Sequence, residues 1–130
     1  MRFQATAGAI FAGLAVVFGA FGAHGLKGTI PPERLETFQT GVQYQLAHGI
    51  ALLLLAALHG KLACNHRAQA TAWLFTAGIV LFSGSLYALA LTGIGTFGMI
   101  APLGGLSMIV GWAVFAVNAA LAKPTEDPQP

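Results

Sequence analysis

Three stretches of the chain carry no charged side chain: Phe3 to Gly25, Thr37 to Gly60 and Ala68 to Ala122. A hydrocarbon core of ~30 Å is crossed by ~20 residues of α-helix rising ~1.5 Å per residue. The first two stretches therefore hold one crossing each, and the third holds two with a turn between them. The pattern predicts spans over about 4–23, 46–62, 70–91 and 99–121. The last two form an antiparallel hairpin through the short Gly-rich turn 92–98. Pro102 falls early enough in the fourth span to be tolerated in its first turns.

A different pattern precedes the second span. Pro31-Pro32-Glu33 is a good helix start, because proline needs no N–H in the first turn and Glu complements the helix dipole. Leu35, Phe38, Val42 and Leu46 then recur three and four apart, with Glu36, Gln39 and Gln43 on other faces. This predicts an additional amphipathic helix over about 32–45 on the membrane surface, bending near Gly41 into the second span. The fold class expected is thus all-α, an integral membrane four-helix bundle with one surface helix. It occupies residues 1–122 and ends in a Pro-rich solvated tail over 123–130.

Composition supports the bilayer as solvent: 56% of residues are hydrophobic and 8% charged, against roughly 25% charged in soluble domains. Arg2 before the first span would also suit a signal peptide, with Ala20, Gly22 and Ala23 as a cleavage site. The apolar stretch exceeds the ~7–15 residues of such a segment, however, so the span is expected to be retained. A pI near 9 with a net charge of +2 makes no basic patch, which sets aside nucleic-acid binding. Arg2, Lys61, Arg67 and Lys123 share one side of a four-span topology, against Lys27 and Arg34 on the other. The positive-inside rule then places both termini in the cytoplasm of a multi-pass plasma (inner) membrane protein.

Polar residues inside hydrocarbon are the candidates for function. Tyr44 and His48 are four apart on the second helix, flanked by Gln45. Ser83, Ser85 and Tyr87 lie on the third, and His24 at the outer end of the first. These seven form a candidate polar cluster near the outer half of the bundle. It serves either to bond helices together or to bind a ligand or relay protons. A second pattern is steric: Gly8, Ala12, Ala15, Gly19 and Gly22 form a small-residue stripe on the first helix, matched by Gly84 on the third and Gly104 and Gly111 on the fourth. Such stripes let helix backbones approach closely. Trp73 is a candidate interface anchor.

His59, Cys64 and His66 match no zinc spacing, and His24 with His48 makes an incomplete metal site, so no metal or cofactor is expected. No phosphate loop, Ser-His-acid set or paired intramembrane carboxylate is present, which argues against an enzyme.

Four motifs carry a family resemblance: Gly19-Ala20-Phe21-Gly22-Ala23-His24-Gly25-Leu26; Phe38-Gln39-Thr40-Gly41-Val42-Gln43-Tyr44-Gln45 with His48; Phe82-Ser83-Gly84-Ser85-Leu86-Tyr87; and Pro102-Leu103-Gly104-Gly105 with Gly111-Trp112. In this order they resemble domain of unknown function 423, whose animal relatives are called transmembrane protein 256. The resemblance covers the chain from about Gly8 to Trp112. It implies a compact multi-span protein of bacterial inner membranes and of animals, with no established activity. The reading reached is a non-enzymatic structural or accessory membrane component. Its partners would be the lipid bilayer and either a second copy or another membrane protein. The alternative is an oligomeric carrier or channel for a small molecule, ion or proton, built on the polar cluster.

Overall fold

The computed structural model describes residues 1–123, and the tail expected over 123–130 lies outside them from residue 124 onward. Every long element is helical: α1 (Arg2–Phe21), α2 (Pro32–Ala57), α3 (Asn65–Gly78), α4 (Gly84–Thr92) and α5 (Ala101–Ala120). A π-helical turn, Gly22–Leu26, extends α1, and a second, Ile79–Ser83, joins α3 to α4 without a break. A 3₁₀ turn, Gly95–Met99, leads into α5. Four apolar helices long enough to cross a membrane result: Arg2–Leu26, Pro32–Ala57, Asn65–Thr92 and Gly95–Ala120.

The surface helix expected over 32–45 does not form separately. Residues 32–57 are one helix of 26 residues, ~39 Å long, enough to cross a ~30 Å core with its polar first turns outside. Gly41 does not bend it, because this glycine is buried where the Tyr87 ring packs, and a Cβ there would stand 2.8 Å from that ring. Phe38 and Val42, read as the apolar side of a surface helix, pack instead with Leu26, Phe18, Ala90 and Tyr87 in one of the two apolar clusters of the bundle. The second span also ends at Ala57 rather than near residue 62, and α3 begins at Asn65, earlier than 70.

The surface is apolar, and polar side chains are buried beside Leu52, Phe75 and Ile79. Ile10, Val16, Ile50, Val80, Leu103, Ile109 and other large aliphatics face outward, while Gln4, Gln45, His48, Thr71, Ser83, Ser85 and Asn118 are buried. Lipid tails are as apolar as leucine, so burying large side chains gains little in a membrane. Close backbone packing and internal hydrogen bonds hold the helices together instead.

Glycine supplies the close packing at two crossings. Where α1 meets α2, a Cβ on Gly8 would lie 2.8 Å from the Gly49 carbonyl, and one on Gly49 would lie 2.9 Å from the Ala12 amide. Where α5 meets the middle of the third span, a Cβ on Gly104 would collide with the backbone of Phe82, and one on Gly111 would lie 2.8 Å from the Phe75 ring. Of the stripe expected on the first helix, Ala15 is buried, and Gly22 and Gly19 pack on Phe38 and Val42. Gly84 departs from that expectation. It is exposed with open space where a Cβ would stand, because the preceding π turn rotates it away from the bundle interior.

Asn118, fully buried on α5, fixes the loop before α3. Its Oδ1 accepts the Cys64 N–H at 2.9 Å and its Nδ2 donates to the Cys64 carbonyl at 3.0 Å. The Ala63 N–H donates to the Asn118 carbonyl at 3.3 Å. At the opposite end of the bundle, α4 stops at Gly93 with φ 72°. The Arg34 guanidinium lies against this glycine, close to the partial negative charge of the helix C-terminus.

These contacts generate two expectations for thermal unfolding of the purified protein in detergent. Gly104→Ala should cost ~1–3 kcal/mol, since backbone must move to admit a methyl group. Gly84→Ala should stay within ~0.5 kcal/mol; equal losses at the two positions would contradict the packing described. Asn118→Leu keeps the volume but leaves the Cys64 N–H without its acceptor and the Cys64 carbonyl with the Ala68 N–H alone. It should cost ~1–3 kcal/mol and speed maleimide reaction at Cys64; unchanged labelling would show that the loop does not depend on Asn118.

Candidate functional site

α2 is the centre of the polar arrangement because Gly41, Gln45, His48, Gly49, Leu52 and Leu55 line its buried side at spacings of three and four. Around this stripe stand α1, the third span and α5. Each of the three receives a hydrogen bond from α2 or gives one to it.

Gln45 is bonded on two sides. Its Nε2 donates to the Phe11 carbonyl of α1 at 2.9 Å, and its Oε1 accepts from the Tyr87 hydroxyl of α4 at 2.7 Å. One amide thereby ties three helices, with the amide orientation set by Tyr87 as donor and a carbonyl as acceptor. One turn earlier on α2, the Gly41 carbonyl accepts from Ser83 Oγ at 2.7 Å. The π turn at Ile79–Ser83 carries one more residue per turn than an α-helix, and its last residue is this serine.

His48 makes the remaining link. Its Nδ1 lies 2.8 Å from the Tyr44 carbonyl, and its Nε2 lies 3.0 Å from Trp112 Nε1 on α5. A carbonyl only accepts and an indole N–H only donates. The proton therefore sits on Nδ1, Nε2 is the acceptor, and the ring is the neutral imidazole. Both nitrogens are occupied. Aromatic rings enclose the imidazole: Phe75 edge-on at 5.1 Å, Trp112 at 5.9 Å and Tyr44 stacked at 6.2 Å between centroids.

Not all of the seven candidates join this arrangement. Gln45, His48, Ser83 and Tyr87 do, and Tyr44 contributes its carbonyl and ring, though its side chain is 45% exposed on the outer face and packs on Phe82. Ser85 is buried but satisfies itself, donating to the Phe82 carbonyl of its own turn at 2.9 Å. His24 stands exposed in the π turn that ends the first span and takes part in none of the hydrogen bonds described. The arrangement centres on Gly41 to His48, the middle of the 26-residue α2, rather than on one half of the bundle.

Two participants escape a reading based on polarity alone. Trp112 is an apolar-scale residue whose one donor matters here. The Phe11 carbonyl is backbone, invisible to any side-chain pattern. Asn118 is different, since a lone amide deep in the fourth span carries the same signal that singled out Gln45. Gln4 is a further buried amide, with Oε1 lacking a hydrogen-bond partner.

Among the described residues no three His, Cys, Asp or Glu side chains converge as metal ligands. Cys64, in the loop before α3, is held below the usual thiol range by the backbone N–H groups of Arg67 and His66 and by the Arg67 charge. Chemically, the central arrangement is suited to holding helices in register: its donors and acceptors are matched within the bundle, and aromatic rings fill the space around them.

The family model described as "Protein of unknown function (DUF423)" matches residues 18–105, which include α2, the π turn, Tyr87 and the Gly104 crossing. The UPF0382 membrane protein YwdK of Bacillus subtilis is 50% identical over 112 residues, 86% of this chain and 91% of the relative. UPF0382 membrane proteins of Staphylococcus aureus strain RF122 and Staphylococcus haemolyticus are 44% and 40% identical, each over 85% of this chain and 88% and 89% of the relative. No solved structure matches the chain. With more than half of its length matched by one family model and such relatives along nearly all of theirs, the chain belongs to the DUF423 family of membrane proteins, whose function is unknown.

Proposed function

We propose that the protein is a non-enzymatic structural or accessory component of the bacterial plasma (inner) membrane, acting through its packed helices. The observation that carries this reading is His48, whose two ring nitrogens are both engaged by groups of the bundle itself. An intramembrane histidine used for proton relay needs a nitrogen that can exchange its proton along a path. This one would have to give up the Trp112 indole to accept a proton at Nε2. Gln45, Ser83 and Tyr87 support the same reading, each being bonded to a neighbouring helix.

The excess of Lys and Arg at the end that carries Arg2, Lys61, Arg67 and Lys123 supports an orientation with both termini in the cytoplasm. The large aliphatic residues over the outer surface would serve a second copy or another membrane protein as well as lipid.

Thermal unfolding in detergent, paired with proton flux into proteoliposomes read by a pH-sensitive dye, tests the role of the network. Gln45→Leu should lose ~1–2 kcal/mol, and the His48→Ala and Trp112→Phe pair should couple by ~0.6 kcal/mol. None of these three variants should alter flux. A His48→Ala protein as stable as the parent, but with a changed flux or pH response, would establish the carrier reading in its place. Orientation is read from Cys64, the one cysteine: a membrane-impermeant maleimide should label it in inverted vesicles and not in intact spheroplasts, and the reverse result would turn the topology over.

A further inference from the structure

One end of the bundle combines an apolar groove with a set of cations. The groove, about 330 Å³, is lined by Ala113, Val114 and Val117 of α5 and closed at its edge by Arg67 of α3. Continuing along the same face of α5, Leu121 stands one turn beyond Val117. Here a second hollow opens, lined by Gly60, Lys61, Leu121 and Lys123. The feature is therefore amphipathic along its length, apolar beside the hydrocarbon and cationic where α5 ends.

Three observations identify what fits it. Arg67 is exposed at the edge of the apolar groove and makes no ion pair with another described residue. The acids of the described residues, Glu33 and Glu36, begin α2 at the opposite end of the bundle, while Glu126 and Asp127 follow in the undescribed segment. The loop that carries Lys61 is held in place, because Asn118 bonds Cys64 through both its amide atoms and Ala63 through its carbonyl. A positive end of this kind, beside a groove lined by Ala113, Val114 and Val117, complements a molecule with a negative head and an apolar tail.

We propose that an anionic phospholipid docks here, with an acyl chain along Val114 and Val117 and its phosphate between Arg67 and Lys61. Arg67 would contribute a forked pair of N–H donors to the phosphate, and Lys61 a point charge. The docking depends on the bilayer being the solvent, and it is independent of what the central polar network does.

The test is a lipid titration of the full chain in detergent, followed by native mass spectrometry, comparing dioleoylphosphatidylglycerol with dioleoylphosphatidylcholine. The glycerol lipid should bind more tightly, and Arg67→Gln and Lys61→Gln should each weaken it roughly fivefold, the equivalent of one surface cation. Binding of the choline lipid, whose own ammonium offsets its phosphate, should weaken much less. An unchanged unfolding temperature in detergent reports that the variants are folded, and Arg67→Lys should keep most of the preference. Val117→Phe, which fills the groove and leaves the charges, should weaken both lipids. Equal affinity for the two lipids would overturn the proposal, as would a preference that survives the double charge variant. Inorganic phosphate displacing the glycerol lipid at equal concentration would also overturn it, by showing that the groove contributes nothing.

Discussion

The carboxamide of Gln45 is the point on which the bundle closes. A side-chain amide in hydrocarbon must find partners within the protein, since neither lipid tails nor water can supply them. This one finds them on both sides, in the backbone of α1 and the phenol of α4. Satisfying it fixes the rotation of α2 about its axis, and that rotation sends His48 toward Trp112 and Gly41 toward Ser83. The same rotation turns Gly8 and Gly49 into each other. Hydrogen bonds and glycine contacts are thus consequences of a single placement of α2 rather than separate devices.

The order of contributions follows from the solvent. With large aliphatic side chains indifferent between lipid and protein, each interhelical hydrogen bond, worth ~0.6–1.7 kcal/mol in a membrane, and each backbone approach at glycine carries a larger share of specificity than it would in water. This accounts for Ala15, Ala51, Ala72 and Ala90 and for buried polar groups standing in the core beside Leu52, Phe75 and Ile79, with many other large apolar residues outside.

Much of this could be read from residues. Uncharged stretches marked all four crossings, because the cost of charge in hydrocarbon leaves a plain trace in sequence. Gln45, His48, Ser83 and Tyr87 stood out for the same reason. The boundaries of α2 did not, because a helix that leaves the bilayer by two turns has the same amphipathic pattern as one lying on the surface; only the packing of Phe38 and Val42 against Leu26 and Tyr87 separates the two. Gly84 was misplaced because a π turn shifts the helical phase, and nothing in the residues 79–83 announces an extra residue per turn. Trp112 entered only as part of a family motif, although its N–H completes the histidine.

The bonds from Asn118 to Cys64 span 54 residues of chain, from the last helix back to the start of the third span. During synthesis, the N-cap of α3 has its carbonyl matched by Ala68 but its N–H lacks the Asn118 acceptor until α5 has left the ribosome. The loop between the second and third crossings therefore takes its final shape only after the last crossing has docked. Any factor that assists insertion meets an intermediate whose loop between the second and third crossings still lacks the staple.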